Sequence, residues 1–491
     1  MMRNFRPAIQ VSQLVKYSIL AFWLASQILQ IRVGLADNGD WIRLANWVSS
    51  GPVGLSEGWV DQENPQYFQR YFTYWLPDWR LDYPMQGSVI SSVFLLWLPG
   101  ILFNTIFSSN EVLHLSWISL LPRLLALIFL LGMFNWLDRY IKRKTLFYLT
   151  LILPLALMTS TTDYVAYFNT FYQETAAFIG LLYLIWSLLA FGCHPSGKNL
   201  FFFLASLLII TFSKASAFYW PILTAPFIII PARTFKTRWF YYLVIGLSVI
   251  LLPVISLRAM SAPAMHRINM FDSFYTGILP FSNNPIEQLD DLSIGGTEDC
   301  IDNIDYYSAA RSRCLAVFSE RIDRKMLAMI LIGEPTILFK QFIYGTSQLQ
   351  KLGLRGSDYY AYNLGNYAPG ESRPPGAELL NAWSTIKSYG FPKGWGVIFA
   401  ILIFGFILGY NVRYSGWVSR LAWSGFMLLG ALILEIMITL NGDGKYEVVK
   451  HLFLANMIFD LLLILAINML LIRFVERPDI LFARQDSLAP T

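Results

Sequence analysis

Charge is what this chain has least of: 14% of its 491 residues are Asp, Glu, Lys or Arg, against 55% hydrophobic ones. A soluble domain carries roughly 25% charged residues, so this composition, with a mean hydropathy of +0.48, excludes a soluble globular protein of ordinary build. Positive charge is in only slight surplus, at +5, and sits largely in short connections between apolar runs, which speaks against a nucleic-acid reader. Cysteine is scarce too, and three thiols cannot form a disulfide framework. Cys300 and Cys314 do share one polar stretch, and spacing leaves open whether they pair or stay free. No lipidation signal appears, and no internal repeat suggests an inverted-repeat transporter. The first apolar stretch follows Arg3, Arg6 and Lys16 and ends without a small-residue cleavage site, which predicts an uncleaved helix.

What the chain has in abundance is apolar runs. A window of about 19 residues finds them near 14–32, 87–107, 117–137, 145–160, 174–192, 199–213, 216–232, 239–257, 394–411, 420–440 and 452–472. If all cross the membrane with the N-terminus inside, the basic stretch Asp138 to Lys144 lies outside, against the positive-inside rule. The weakest run is 87–107, broken by Pro99-Gly100 and dotted with Ser88, Ser91, Ser92 and Asn104. We read it as an interfacial or re-entrant helix on the outer side. Ten spans remain, both termini are cytoplasmic, and short inside segments hold 16 Lys/Arg against three in the short outside ones, Lys214, Lys445 and Lys450.

Two long polar segments then face outward. Residues 33–116 hold eight acidic residues against three arginines, and 258–392 is long enough for a small folded cap. Within the cap, Arg324 to Phe342 is amphipathic and broken at Gly333-Glu334-Pro335, which predicts two short helices on the membrane. The chain thus divides into an N-terminal transmembrane module (1–257), a cap (258–392) and a C-terminal transmembrane module with a cytoplasmic tail (393–491).

Chemistry concentrates where apolar runs meet the outer side. Asp37-Asn38-Gly39-Asp40-Trp41 places two carboxylates just past the first helix, where water still solvates them. They can take a proton from a poorly nucleophilic hydroxyl, hold a divalent cation or orient sugar hydroxyls. Asp40 is equally placed to cap a helix beginning at Trp41. Glu174 opens the run after an aromatic loop, where it complements the positive end of a helix or faces a substrate. In the stretch Asn441 to His451, Glu447 and His451 share a face at i, i+4 and Asp443 can join them. Lys450 and His451 could grip a phosphate, Asp443 and Glu447 a sugar; with no second His nearby the resemblance to metal spacing is weak. Arg123 and Lys214 are basic groups at the outer boundary, suited to a lipid-carrier phosphate or to snorkelling toward headgroups.

Several of these features together resemble the GT-C superfamily of membrane glycosyltransferases, especially its protein-mannosyltransferase and aminoarabinose-transferase branch. The resemblance rests on Asp37 with Trp41 after the first helix, on Asp82-Tyr83-Pro84-Met85 ahead of 87–107, on Trp117 to Arg123 and on Lys214 in Thr211 to Ser216. It covers roughly the first half of the chain as a pattern. Outer segments such as Gly333-Glu334-Pro335, Asn363 to Tyr367, Trp383-Ser384 and Asn441 to His451 also resemble bacterial membrane proteins associated with surface-glycan synthesis. The resemblance implies a polyprenyl-phosphate sugar donor, inversion at the anomeric carbon, a first-loop aspartate as base and, in many members, no metal. The chain departs from the usual acidic pair by having Asn38 beside Asp37, with Asp40 as its second carboxylate.

The expectation is therefore an all-α polytopic membrane glycosyltransferase of about ten spans with two extracytoplasmic segments, in a bacterial inner membrane. Its catalytic candidates are Asp37 and Asp40. Arg123, Lys214, Glu174, Asp443, Glu447, Lys450 and His451 are its substrate or lipid-phosphate candidates. Its acceptor would be a glycan, lipid or protein, and its outward carboxylates leave room for a divalent cation. The competing readings are a glycan polymerase or ligase acting on diphosphate-linked lipids, which would use Arg258, Arg267, Arg311, Arg313 and Arg321, and a transporter or flippase, for which the only mid-span acids are Glu435 and Asp460.

Overall fold

The computed structural model describes residues 11–35, 41–53, 76–232, 238–260, 263–303, 309–349, 377–390, 393–413, 417–445 and 448–475. It is an all-α polytopic membrane protein, and among the described residues the one sheet is the short antiparallel pair β1 (Asp78–Arg80) and β2 (Val112–His114). The principal helices are α1 (Val11–Leu29), α2 (Val93–Phe107), α3 (Leu120–Tyr140), α4 (Glu174–Cys193), α5 (Gly197–Thr211), α6 (Trp220–Ala232) and α7 (Arg238–Met260). They continue with α8 (Arg324–Gly333), α9 (Thr336–Gln348), α10 (Ala382–Gly390), α11 (Trp395–Val412), α12 (Trp417–Gly442) and α13 (Phe453–Val475).

A helix stands at each of the ten expected spans, but fewer are built to cross unaided. Among the described residues six helices are long and apolar enough, or eight if the bent pairs Lys144–Met158 with Thr162–Asn169 and Arg324–Gly333 with Thr336–Gln348 each count as one. The remaining helices fall short of that test for a physical reason. The 15 residues of α5 rise only about 22 Å against a hydrocarbon core of about 30 Å. The 13 residues of α6 rise less, and α1 carries Lys16, Gln13 and Gln27.

Two contacts orient the start of the bundle. Lys16 Nζ lies 2.9 Å from Asp138 Oδ2 at one end of the pair α1 and α3. At the other end Arg123 donates to Gln27 Oε1 at 2.6 Å and to the Gln30 carbonyl at 2.9 Å. The two helices are therefore antiparallel, and the chain between them leaves and re-enters at the same end of the bundle. Within that stretch α2 is tied at both of its ends to this end. Ser91 and Ser92 donate to the carbonyls of Ser213 and Ile209, while Asn104 binds the backbone of Ser109, Val112 and His114 beside the start of α3. Gly100 lets α2 press on the chain below it: a Cβ there would stand 2.2 Å from the Trp117 carbonyl oxygen. The opposite face presents Leu95, Leu98, Leu102, Phe103 and Ile106, all exposed. With both ends held at one end of the bundle and one face apolar and exposed, α2 has the build of an interfacial helix.

The segment after α7 has a core of its own, formed by Phe271, Phe274, Tyr275, Ile278, Leu289, Phe318 and their neighbours. Cys300 and Cys314 pair as a disulfide inside it, which settles the alternative that spacing left open. Asp272 and Arg311 form a buried ion pair at 2.6 Å, and the guanidinium stacks over Phe271 at 4.9 Å. The break at Glu334-Pro335 turns α9 by 96° from α8. Glu334 holds the corner by accepting from Ser282, the Asn283 amide and Gln288.

Candidate active site

The site forms where the ends of α4, α5 and α12 meet the cap. The turn Gly442-Asp443-Gly444 leaves α12 and is clamped against the segment 272–277. Ser273 donates to the Asn441 carbonyl at 2.7 Å and the Lys445 amide to Thr276 Oγ1 at 3.1 Å. Gly444 is required there twice over: its φ of +63° favours glycine, and a Cβ would stand 2.1 Å from Thr276 Oγ1.

Five residues predicted from three separate stretches of the chain meet here. Lys214 Nζ lies 3.5 Å from Glu174 Oε1, with both side chains nearly buried. Asp443 Oδ2 lies 3.4 Å from His451 Nδ1. Lys450, 3% exposed, sits over the Tyr172 ring at 4.9 Å, a favourable use of a desolvated ammonium. The fields of Lys214 and Arg43 reach both Asp443 and His451. Burial, then the neighbouring Asp272 carboxylate, push the Asp443 carboxyl up to about 6 against the pull of those two cations. Burial, with Lys214 and Arg43, holds the His451 imidazole down to about 3. The Asp443 and His451 contact is thus made by a neutral imidazole, and the positive charge of the site belongs to lysine and arginine.

Glu435 completes the floor, accepting from Tyr219 OH at 3.0 Å and Ser216 Oγ at 3.2 Å, within the field of Lys214. Arg43 was not singled out from sequence, Tyr172 only as one of the aromatics ahead of Glu174, and Glu435 was weighed only as a mid-span acid. A signal for Arg43 existed: a basic residue on the predicted outer side is as unusual there as Lys214.

Asp37 and Asp40 lie outside the described residues, as does Glu447. Both flanks of the acidic pair are nevertheless fixed beside the site. On one side Asn169 donates to the carbonyls of Gln30 and Val33, and Leu35 is fully buried. On the other, Trp41 is buried against Trp79, Phe171 and Tyr172, with ring centroids 5.4 to 5.6 Å apart. Tyr172 therefore touches Trp41 and underlies Lys450 as well. The proline motif is strapped to the same stretch: the Tyr83 amide donates to the Val48 carbonyl and the Gln86 amide to that of Asn46. Tyr83 and Met85 on either side of Pro84 take φ of 50° and 56°, a left-handed backbone that costs on the order of 1–3 kcal/mol each.

Arg123 is placed differently. Its guanidinium donates to the Gln27 carbonyl and Oε1, the Gln30 carbonyl and Ser119 Oγ, bracing the end of α1. Among the described residues the one cluster with metal-ligand spacing is Asp299, Cys300 and Cys314, whose sulfurs are bonded to each other.

No curated protein and no solved structure matches the chain. The family described as the YfdI N-terminal transmembrane domain matches residues 3–485, nearly the whole length, and the chain belongs to that family.

Proposed function

We propose that the chain is a membrane glycosyltransferase that moves a sugar from a polyprenyl-phosphate donor to an acceptor on the outer side, in the synthesis of a surface glycan or of a glycosylated lipid or protein. One observation carries the reading: Lys214, Lys450 and Arg43 gather with Glu174, Asp443 and His451 at the bundle end where Trp41 anchors the acidic motif to Tyr172. Cations at a membrane boundary suit a lipid phosphate, and a neighbouring carboxylate suits an acceptor hydroxyl that must lose its proton. In this reading Lys214 and Lys450 hold the phosphate, Asp37 or Asp40 is the base, and the sugar is inverted. The disulfide in the cap supports an oxidising compartment on that side, with both termini in the cytoplasm of a bacterial cell.

The competing readings draw less support. Two arginines that a polymerase would use are engaged, Arg311 with Asp272 and Arg313 with Asp299. Of the two mid-span acids a transporter would use, Asp460 is paired with Lys387. The deciding experiment is reconstitution of the full chain with a panel of labelled polyprenyl-phosphate sugars, comparing wild type with Asp37→Asn and Asp40→Asn. Transfer should fall by about 10²–10⁴-fold in whichever variant loses the base. Undiminished transfer in both would remove the mechanism, and no transfer from any donor would remove the reading.

A further inference from the structure

The loop from Tyr167 to Thr175 reaches both lysines of the candidate site and the anchor of the acidic motif. Asn169 holds the chain ahead of that motif through the Gln30 and Val33 carbonyls. Phe171 is caught among Trp41, Trp79 and Trp97, with ring centroids 5.6, 4.9 and 5.2 Å away. Tyr172 meets Trp41 edge to face at 5.6 Å and carries Lys450 over its ring, the ammonium 4.9 Å from the centroid. Two residues on, Glu174 meets Lys214.

The loop is fixed from within by its own threonines. Thr170 Oγ1 donates to the Tyr167 carbonyl at 2.7 Å and accepts from the Tyr172 amide at 3.2 Å, and Thr175 Oγ1 donates to the same carbonyl at 2.8 Å. The Tyr172 side chain is buried and backed by the Tyr167 ring at 5.5 Å. Backbone and ring are thus both restrained, as a group that sets the place of others must be. A ring also suits the task electrostatically, because its face attracts an ammonium without neutralising it.

We propose that Tyr172 is a positioning residue of the transfer reaction, whose ring sets the distance between the lysine that holds the donor phosphate and the acidic motif that takes the acceptor's proton. The assignment rests on the function proposed above. In that chemistry the bond between the anomeric carbon and the phosphate oxygen breaks, and its electron pair leaves with the polyprenyl phosphate. The new bond joins the same carbon to the acceptor oxygen, whose proton passes to the aspartate. Phosphate and base must therefore stand in register across one carbon atom, and a misplacement of about 1 Å costs on the order of 10²-fold in rate. Both hang on one ring, since Trp41 directly follows Asp40 and Lys450 rests on the ring's face.

The test is the kinetics of sugar transfer from labelled polyprenyl-phosphate donors by the full chain, in membrane vesicles of the source cell that carry the acceptor. Tyr172→Met keeps the bulk and loses the ring. It should lower kcat by on the order of 10²-fold and raise donor KM by roughly fivefold to thirtyfold. Tyr172→Phe keeps the ring and should hold both constants within about threefold of wild type. A Phe variant as weak as the Met variant would give the role to the hydroxyl. A Met variant that moves only one constant would tie the ring to one partner, and lowered melting with both constants unchanged would leave a packing residue. Each of these overturns the assignment. Should Tyr172→Met fail to fold, Tyr172→Trp keeps an aromatic face of larger size. It should lower kcat by about tenfold or more while donor KM stays within about threefold, and an unchanged kcat overturns the assignment. No transfer by wild type from any donor would remove the proposed function, and the assignment with it. Wild-type transfer with any of the other adverse results removes the assignment alone.

Discussion

Lys387 Nζ lies 2.6 Å from Asp460 Oδ1, with the lysine side chain 0% and the aspartate 2% exposed. The pair joins α10, a short helix at the end of the segment 258–392, to α13. The rest of the carboxylate is satisfied by Tyr164 OH at 2.7 Å and Trp383 Nε1 at 2.9 Å, while the lysine also donates to Asn456 Oδ1 at 3.1 Å. The same network holds Tyr164, in the segment that runs on to Tyr172 and Glu174. Removing one partner leaves a buried charge alone, so Asp460→Ala should cost about 3–5 kcal/mol. Lys387→Met combined with Asp460→Leu should cost much less than the two single changes summed. Unfolding in detergent micelles across this double-mutant cycle measures the coupling, and additive costs would contradict it.

Arg123 and Lys214 should separate cleanly in kinetics. Arg123→Lys loses the fork that braces α1, and should lower stability by about 1.5–3 kcal/mol with donor KM little changed. A raised donor KM with unchanged melting would instead assign Arg123 to the phosphate. Lys214→Met should weaken binding of a polyprenyl phosphate by roughly tenfold to a hundredfold, as measured by calorimetry on reconstituted protein. Unchanged affinity would take Lys214 out of the phosphate site.

Asp443 and His451 should oppose each other in the pH dependence of stability. With its carboxyl raised to about 6, folded Asp443 keeps a proton that the unfolded chain has lost, so its contribution falls as pH rises from about 4 to 6. With its imidazole lowered to about 3, folded His451 stays neutral where the unfolded chain is protonated, so its contribution rises between about pH 3 and 6.5. Melting curves of His451→Gln should therefore lean toward lower stability with rising pH than wild type, and those of Asp443→Asn toward higher, each by on the order of 1 kcal/mol. Parallel profiles in all three proteins would refute the assignment.

Gly444→Ala should lower stability by more than the 1–2 kcal/mol of a left-handed backbone alone, because the added methyl also meets Thr276 and the Asp272 carbonyl. Since this turn carries Asp443, activity should fall with it. Gly246→Ala, at a helix position with open space around it, is the control and should stay near wild type.

Reduction of Cys300–Cys314, separated by 14 residues, should loosen the cap core by about 3 kcal/mol. Limited proteolysis with and without reductant should then cut preferentially within the cap. An unaltered digestion pattern would mean that the apolar core around Phe274 and Phe318 suffices.

Much of the fold was legible in the residues. Hydropathy located a helix at every expected span, the charge bias placed Glu174, Lys214 and Asp443 together on one side, and Pro99-Gly100 marked α2 as the run whose two ends stay at one end of the bundle. The count of full spans was less legible, because a window of apolar residues does not reveal where a helix starts and stops, and α5 and α6 proved short. Arg123 was read as a phosphate contact or a snorkelling side chain, and its bracing of α1 left no mark in the sequence, because an arginine at a boundary looks the same whether it faces a phosphate or the carbonyls that end α1. Lys387 gave no signal at all, since its partner Asp460 is 73 residues away and neither residue belongs to a recognisable spacing.

Composition by itself determined that this chain lives in a membrane, since so few charges cannot coat a soluble protein of this size, and the scatter of lysine and arginine gave an expectation of which connections share a side. The pairing of side chains across the bundle was decided only by tertiary structure. Lys214 with Glu174, Lys450 over Tyr172 and Asp443 beside His451 depend on how helices end and which backbones approach closely, at Gly100 and Gly444 above all. Those approaches are set by packing between segments far apart in the chain, and local sequence carries no record of distance in space.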